Sequence, residues 1–227
     1  MKKKLDFIAI IPARAGSRGI LNKNTTIINN KKLIEYTFEI VQKTKIIKKI
    51  FLTTNDPKVI KVAKNYKKID ILLRTKKLSQ SNALMSDTIY DALNKIKINF
   101  PNVSNFVLLQ PTSPQRTLKD IETAIRTFKR NKNKNLISIS EPINHPYEML
   151  SFSKKKYSLL INRKKQMNRQ TYKKFYFING SIFIGSIKKF LKNKKFLDSK
   201  TIFFKMDKEN SIDINDNLDK KLVKNLL

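Results

Sequence analysis

The chain has 227 residues, of which 40% are hydrophobic, enough to bury one full core and too many for a disordered basic tail. It contains no cysteine and a single histidine, which excludes disulfides, thiolate zinc sites, a cysteine nucleophile and a histidine-rich metal centre. The net charge of +32 points first to nucleic acid or an anionic surface, but Lys, Ile and Asn together make up 94 of the 227 residues and all have A/T-rich codons, so base composition explains much of it.

In chain order, the first apolar run, Phe7–Ile11, reads as a strand that feeds into Pro12-Ala-Arg-Ala-Gly-Ser-Arg-Gly19 and on to Lys23-Asn24. Two of the four glycines lie there, beside Arg14, Arg18 and Lys23. Gly16 and Gly19 are expected to take positive φ and turn backbone N–H groups toward an anion, while the cations supply charge, which is the outline of a phosphate-binding loop. The spacing matches neither a Walker A loop nor a dinucleotide fingerprint, and an ordinary basic turn would share part of it. Met1-Lys-Lys-Lys4 mimics the start of a signal peptide. The apolar run behind it stops within about five residues, short of the 7–15 of an h-region. No window approaches a membrane span, so a soluble, cytoplasmic protein is expected.

Further strands are expected at Ile50–Thr54, Ile69–Leu73, Asn105–Leu109 and Leu136–Ser140. Between them lie helical stripes: Ile34, Phe38 and Val41; Ile89, Leu93, Ile96 and Phe100; Leu118, Ile121, Ile125 and Phe128. Asp56-Pro57 reads as an N-cap with proline at the first helical position, and Thr117 to Asp120 has capping-box spacing. This alternation predicts an α/β fold, a mostly parallel sheet with helices on both faces and a ligand site beyond the carboxyl ends of the strands. Arg14 to Asn24, Asn55 and Asp56, Arg74, Gln110 to Arg116, and Glu141 to His145 should converge on that rim.

After about residue 145 the pattern changes. Ser151 to Lys174 is Lys-rich and polar, with a weak strand signal at Tyr157–Ile161, and reads as an excursion from the sheet. Regular structure resumes at Tyr176–Ile187 and Thr201–Met206, and a final helix from about Asn217 to Leu227 carries Leu218, Leu222 and Leu226 on one face. No repeat or linker composition appears, so residues 1–227 read as one domain. The lysine runs, such as Lys154-Lys155-Lys156, lack repeated aromatic partners and fit a solvated surface better than a specific nucleic-acid interface. The eight arginines are the informative cations, because a bidentate guanidinium is hard to replace where a carboxylate or phosphate must be held.

Five segments, in order, resemble the cytidylyltransferases that activate sialic acids and related nine-carbon keto-sugar acids, and the resemblance covers nearly the whole chain. They are Ile11-Pro-Ala-Arg-Ala-Gly-Ser-Arg-Gly-Ile20 with Lys23-Asn24; Leu108-Leu-Gln-Pro-Thr-Ser-Pro-Gln-Arg116; Arg169-Gln170; Asn179-Gly180; and Ser211-Ile-Asp-Ile-Asn215. The resemblance implies a Rossmann-like nucleotidyltransferase fold with a mixed, mostly parallel sheet. It also implies transfer of CMP from CTP to the anomeric hydroxyl of the sugar acid, pyrophosphate release, a Mg²⁺ requirement, and a homodimer. In that dimer about residues 142–176 would form an inserted element reaching the partner's site.

By the same resemblance Arg14 and Lys23 hold the triphosphate, Ala13, Gly16 and Ser17 lie along it, and Asn24 bonds nucleotide groups. Arg74 stands near the cytosine, although the family's Arg-Pro-x-x-Leu is here Arg74-Thr-Lys-Lys-Leu78. Asp87 is in register with a common family Asp, and it could equally be a helix-start acid. Gln110, Arg169, Gln170 and Asn179 are implied sugar contacts, with Arg169 suited to the carboxylate. Arg116 is read as a contact to sugar or partner, or as a helix-start surface residue. Asp213 is the implied Mg²⁺ ligand and a catalytic residue with Arg14 and Lys23; Asn215 replaces the second acid of the family's Asp-Ile-Asp, leaving a site with less charge. The chain also departs at Ser81, where an acid is usual, and at Phe177, where members continue Arg-Pro-Asn-Gly. His145 reads as a structural turn residue rather than a base. The same chemistry on an eight-carbon keto-sugar acid, an inactive nucleotide-binding relative, and a basic nucleic-acid-binding protein are the other readings.

Overall fold

Strand β1 (Phe7–Ala13) shows how the core is divided: Phe7, Ala9, Ile11 and Ala13 enter one apolar cluster, and Ile8 and Ile10 enter another on the opposite face. A strand buried on both faces is the signature of a central strand in a sheet covered by helices. The computed structural model describes residues 6–17, 19–162 and 168–227, so the Arg18 assignment lies outside the described residues.

A two-stranded ribbon, β2 (Ile27–Ile28) and β3 (Lys31–Lys32), turns through Asn29 and Asn30, both left-handed as such a tight hairpin requires. Then follow α1 (Leu33–Lys43), β4 (Ile47–Thr54), α2 (Pro57–Ala63), β5 (Ile69–Leu73), the short α3 (Lys76–Ser79) and α4 (Met85–Asn99). The second half holds β6 (Asn105–Leu109), α5 (Leu118–Arg130), β7 (Leu136–Ser140), a hairpin of β8 (Leu150–Ser153) and β9 (Lys156–Leu159), β10 (Phe177–Ser186), α6 (Ile187–Asn193), β11 (Ile202–Lys205) and α7 (Asn217–Leu226). The expected caps are present: the Asp56 carboxylate accepts from Lys58 N, and Thr117 and Asp120 form a reciprocal capping box.

The main sheet runs β11-β7-β10-β6-β1-β4-β5. Its neighbours are parallel except for β10, which lies antiparallel between β6 and β7. The fold is α/β and Rossmann-like, as expected. Helices α1, α2 and α5 cover the face of Phe7, Ile11, Leu52 and Leu109, while α4 and α6 cover the face of Ile10, Phe51 and Leu108. Each large aliphatic or aromatic side chain buried there is worth about 1.5–3 kcal/mol of transfer free energy.

The regular structure expected over Tyr176–Ile187 is β10 followed by α6, which starts at Ile187 and buries it with Phe190. In α7 the Leu218, Leu222, Leu226 face is turned outward, 74%, 42% and 45% exposed, and Val223 is the buried residue. One sequence expectation is corrected. Gly19 does not take the positive φ expected of it, whereas Gly16 does, at 72°. Among the described residues no helix is long and apolar enough to cross a membrane.

Candidate active site

The loop after β1 bends over the rim of the sheet and opens a cleft of about 300 Å³ lined by Arg14, Ser17, Gly19, Lys23, Asn24 and Gln110, among others. Its frame is set by neighbouring strand ends. Ala13, the last residue of β1, is buried and its carbonyl takes the Thr54 hydroxyl; Ala15 N donates to Asn55 Oδ1 at 2.9 Å; buried Asn24 donates Nδ2 to the Arg14 carbonyl at 3.1 Å. Gly16 accepts at its carbonyl from Arg14 Nη1 at 2.7 Å, so the guanidinium folds back over a left-handed turn and marks where an anion would compete for it.

Two further cations stand near Arg14. Arg74, just after β5, donates Nε to Thr53 O at 3.1 Å and lines a neighbouring pocket with Asn55 rather than this cleft. Burial, with Arg14 nearby adding to it, pushes its pKa down to about 10. Lys23 donates Nζ to Ile214 O at 2.8 Å, and burial holds its pKa below the ordinary lysine value against the opposing pull of Asp213 and Asp219. A half-desolvated ammonium and two arginines in mutual repulsion are stabilised by a polyanion between them.

The second wall is the segment ahead of α7. Ile214 N donates to Thr112 O at 2.8 Å, Lys23 reaches Ile214 O, and Gly19 lies so close to the Asn215 carbonyl that any side chain there would collide with it. Asp219, the capping-box residue of α7, takes Asn215 N at 2.8 Å and Asp216 N at 3.2 Å on one carboxylate oxygen. Asp213 is thereby held near the Lys23 end of the glycine–arginine loop. Its Oδ2 accepts from Asn215 Nδ2 at 3.0 Å, while its Oδ1 is buried and accepts no hydrogen bond among the described residues. A buried, orphaned carboxylate oxygen costs free energy unless a cation completes it, and a hard-oxygen pair of Asp and Asn fits Mg²⁺ shared with phosphates. Among the described residues no cluster of three or more His, Cys, Asp or Glu could hold a metal by itself.

Gln110 lines the cleft at the end of β6, its side chain packed on Gly180, whose φ of 74° breaks the β10 register. Beneath it Arg116 is 2% exposed and ties three elements together. It donates to Ser181 O at 2.8 Å, Gln110 O at 3.3 Å and Thr37 Oγ1 at 3.0 Å. Full burial pushes its pKa down to about 9, and it is neither a sugar contact nor a surface residue.

The remaining candidates are not brought to this cleft. Asn179 is buried, accepting from Ser138 Oγ at 2.6 Å and Ser181 N at 3.1 Å, which shapes the β10 bulge and leaves no sugar contact. Asp87 sits in the first turn of α4, 3.6 Å from Lys194. Arg169 and Gln170 stand exposed on the excursion, where Arg169 pairs bidentately with Glu148 at 2.8 and 2.6 Å. His145 accepts from Tyr147 N on Nδ1, so Nε2 carries the proton and donates to Lys173 O at 3.0 Å; packed against Tyr147, Tyr172 and Phe175, it is a structural residue. Asp219 escaped the sequence reading, although the Asp216-to-Asp219 spacing ahead of an apolar stripe is a legible capping box.

Comparison with known proteins accords with this geometry. The family model described as cytidylyltransferase matches residues 8–223. The N-acylneuraminate cytidylyltransferase of Escherichia coli O18:K1:H7 is 33% identical over 225 residues, 95% of this chain and 50% of that protein. The CMP-N,N'-diacetyllegionaminic acid synthase of Legionella pneumophila is 28% identical over 224 residues, 97% of this chain and 95% of that protein. The chain thus spans about half the length of the first of these relatives and nearly the whole of the second. A solved CMP:2-keto-3-deoxy-manno-octonic acid synthetase complexed with CTP shares the fold at a TM-score of 0.72 and 13% identity, covering 97% of this chain and 98% of that one. With a matched family model over nearly its full length, this chain belongs to the cytidylyltransferase family.

Proposed function

We propose that the protein transfers CMP from CTP to the anomeric hydroxyl of a nine-carbon keto-sugar acid. The observation that carries this reading is the cleft in which the Arg14–Lys23 loop meets Asn215, with the Asp213 carboxylate close enough to act on the Lys23 ammonium. The acceptor oxygen bonds to the α-phosphorus as the bond to the bridging oxygen breaks, and the electron pair leaves with pyrophosphate. Positioning and charge neutralisation supply most of the catalysis in such a step. Arg14, Lys23 and the N–H groups around Gly16 and Ser17 bind the triphosphate and draw off the charge that develops on the leaving group. Arg74 and Asn24 orient the nucleoside end, and Gln110, on the wall of the phosphate cleft, stands where the acceptor's reacting hydroxyl must enter. Asp213, with the Asn215 amide, would hold Mg²⁺, which when bound polarises phosphate oxygens. His145, engaged at both ring nitrogens, is not the base that removes the hydroxyl proton.

Arg14→Ala is expected to lower CTP affinity on the order of 100-fold while leaving any weak binding to DNA unchanged, as calorimetric titration would measure. The opposite pattern, retained CTP affinity with salt-sensitive DNA binding as the main activity, favours the nucleic-acid reading.

The β8–β9 hairpin has apolar side chains exposed together on one face, with Phe152 directly across from Tyr157: Leu150 is 58%, Phe152 62% and Tyr157 73% exposed. An isolated two-stranded hairpin is marginal in water, so we propose that it packs on a second copy, which also carries Arg169 and Gln170 toward the neighbour's site. Phe152→Lys combined with Tyr157→Lys is expected to turn a dimer into a monomer in sedimentation. A wild-type monomer would contradict this.

A further inference from the structure

Next to the phosphate cleft, and sharing Asn215 with it as a wall, lies a second cavity of about 330 Å³. Asn215 lines both cavities, and Asp213 lines the second. An acceptor attacking the α-phosphate from across the Asp213 loop has this cavity to occupy. That assignment rests on the proposed transferase reading. A volume of this size suits a small-molecule ligand.

The walls of the cavity are of two kinds. On one side Ile143, Phe177 and Leu222 present apolar surface that is 80%, 44% and 42% exposed, an unusual concentration beside a charged site. On the other, the acids are mostly committed: Glu141 is held by Lys205 at 2.7 Å, and one oxygen of Asp219 takes two backbone N–H groups. Asp213 belongs to the metal site. Glu209 is left to accept from hydroxyl or amide groups. Lys208 is the one cation among the lining residues; it lies near enough to Glu141 to lower that carboxyl's pKa, yet its ammonium makes no side-chain hydrogen bond among the described residues. Arg169, paired with Glu148 in this protomer, does not line this cavity; it lines an adjoining pocket that Glu141 and Lys208 share.

We propose that this cavity is the acceptor pocket, that Lys208 holds the carboxylate of the sugar acid, and that the Ile143–Phe177–Leu222 wall selects acids bearing acyl or methyl groups over ones hydroxylated throughout. A phenyl ring cannot reward a hydroxyl, whereas it gains by covering a methyl. The acceptor class is therefore a deoxy, multiply N-acylated keto-sugar acid.

The test is pyrophosphate release at saturating CTP, with N,N'-diacetyllegionaminate and N-acetylneuraminate each varied. Lys208→Met is expected to raise the KM for either acid about ten- to hundredfold, with the KM for CTP unchanged and Lys208→Arg restoring most of the loss. Phe177→Ser should shift the ratio of kcat/KM for the two acids about tenfold toward N-acetylneuraminate. Both residues are exposed, so an unchanged melting temperature will show that the fold is intact. If the wild-type enzyme turns over an acid but both variants match it, or if Arg169→Ala raises the acid KM and Lys208→Met does not, the pocket assignment is overturned while the transferase reading stands. If no acid supports turnover by the wild type, the transferase reading fails and takes the pocket with it.

Discussion

Replacing Gly19 with alanine is expected to abolish most CTP binding while leaving the protein folded. The cause is not backbone strain, since Gly19 does not adopt positive φ. A methyl group there would collide with the Asn215 carbonyl oxygen, which is backbone and cannot swing away. Either the phosphate loop lifts or the Asp213–Asn215 segment is pushed out. Both movements pull apart the Lys23 to Ile214 bond that joins the two walls of the cleft. A displacement of about 1 Å at such a site costs on the order of 100-fold in binding or rate. The contact lies on the rim outside the two large clusters that sandwich the sheet, so the melting temperature should fall by only a few degrees, roughly what 1 kcal/mol produces in a domain of this size. Calorimetric CTP titration beside a thermal melt separates the two effects, and wild-type affinity in the alanine variant would refute the close packing. Gly16→Ala should be milder: there the left-handed φ of 72° imposes about 1–2 kcal/mol of strain, and the added atom meets nothing closer than Arg14 Nη1 at 3.9 Å.

Asp213→Asn carries the second large effect. The substitution keeps the size and one carbonyl oxygen but removes the charge that a divalent cation would balance, in a loop where Asn215 already supplies amide in place of acid. We expect pyrophosphate release to fall on the order of 100- to 1,000-fold at fixed Mg²⁺. Mn²⁺ affinity, read by electron paramagnetic resonance, should weaken in step. Because Asp213 Oδ1 is buried with no hydrogen-bond partner among the described residues, neutralising it should leave stability unchanged or slightly higher, which distinguishes a ligand from a structural acid. Unaltered Mg²⁺-dependent turnover would remove Asp213 from the metal site.

The sequence exposes the features that depend on local pattern. The unbroken apolar run of Phe7–Ile11, the Asp56 and Thr117 caps, and the glycine–arginine loop each carry their own physical signal, and each is found where that signal places it. What depends on distant packing is not legible. An apolar run fits a parallel or an antiparallel slot equally well, so the reversal of β10 is invisible. Arg116 looks like any helix-start arginine until Thr37 and Ser181 close around it. Asn179 looks like a ligand contact until Ser138 takes its oxygen. The leucine stripe of α7 has a core-facing period, yet Val223, one residue off that stripe, is the side chain that packs with Ile20, Ile28, Leu33 and Ile214. Lys208 is one lysine among 41, and only the cavity around it sets it apart.

The most direct measurement is pyrophosphate release by the purified protein with Mg²⁺ and CTP across N-acetylneuraminate, legionaminate, pseudaminate and 3-deoxy-octulosonate, with ATP, GTP and UTP as nucleotide controls. Release with CTP and a nine-carbon acid, and with none of the other nucleotides, is the predicted result. Release only with the eight-carbon acid, or silence from a folded protein across the whole panel, would contradict it.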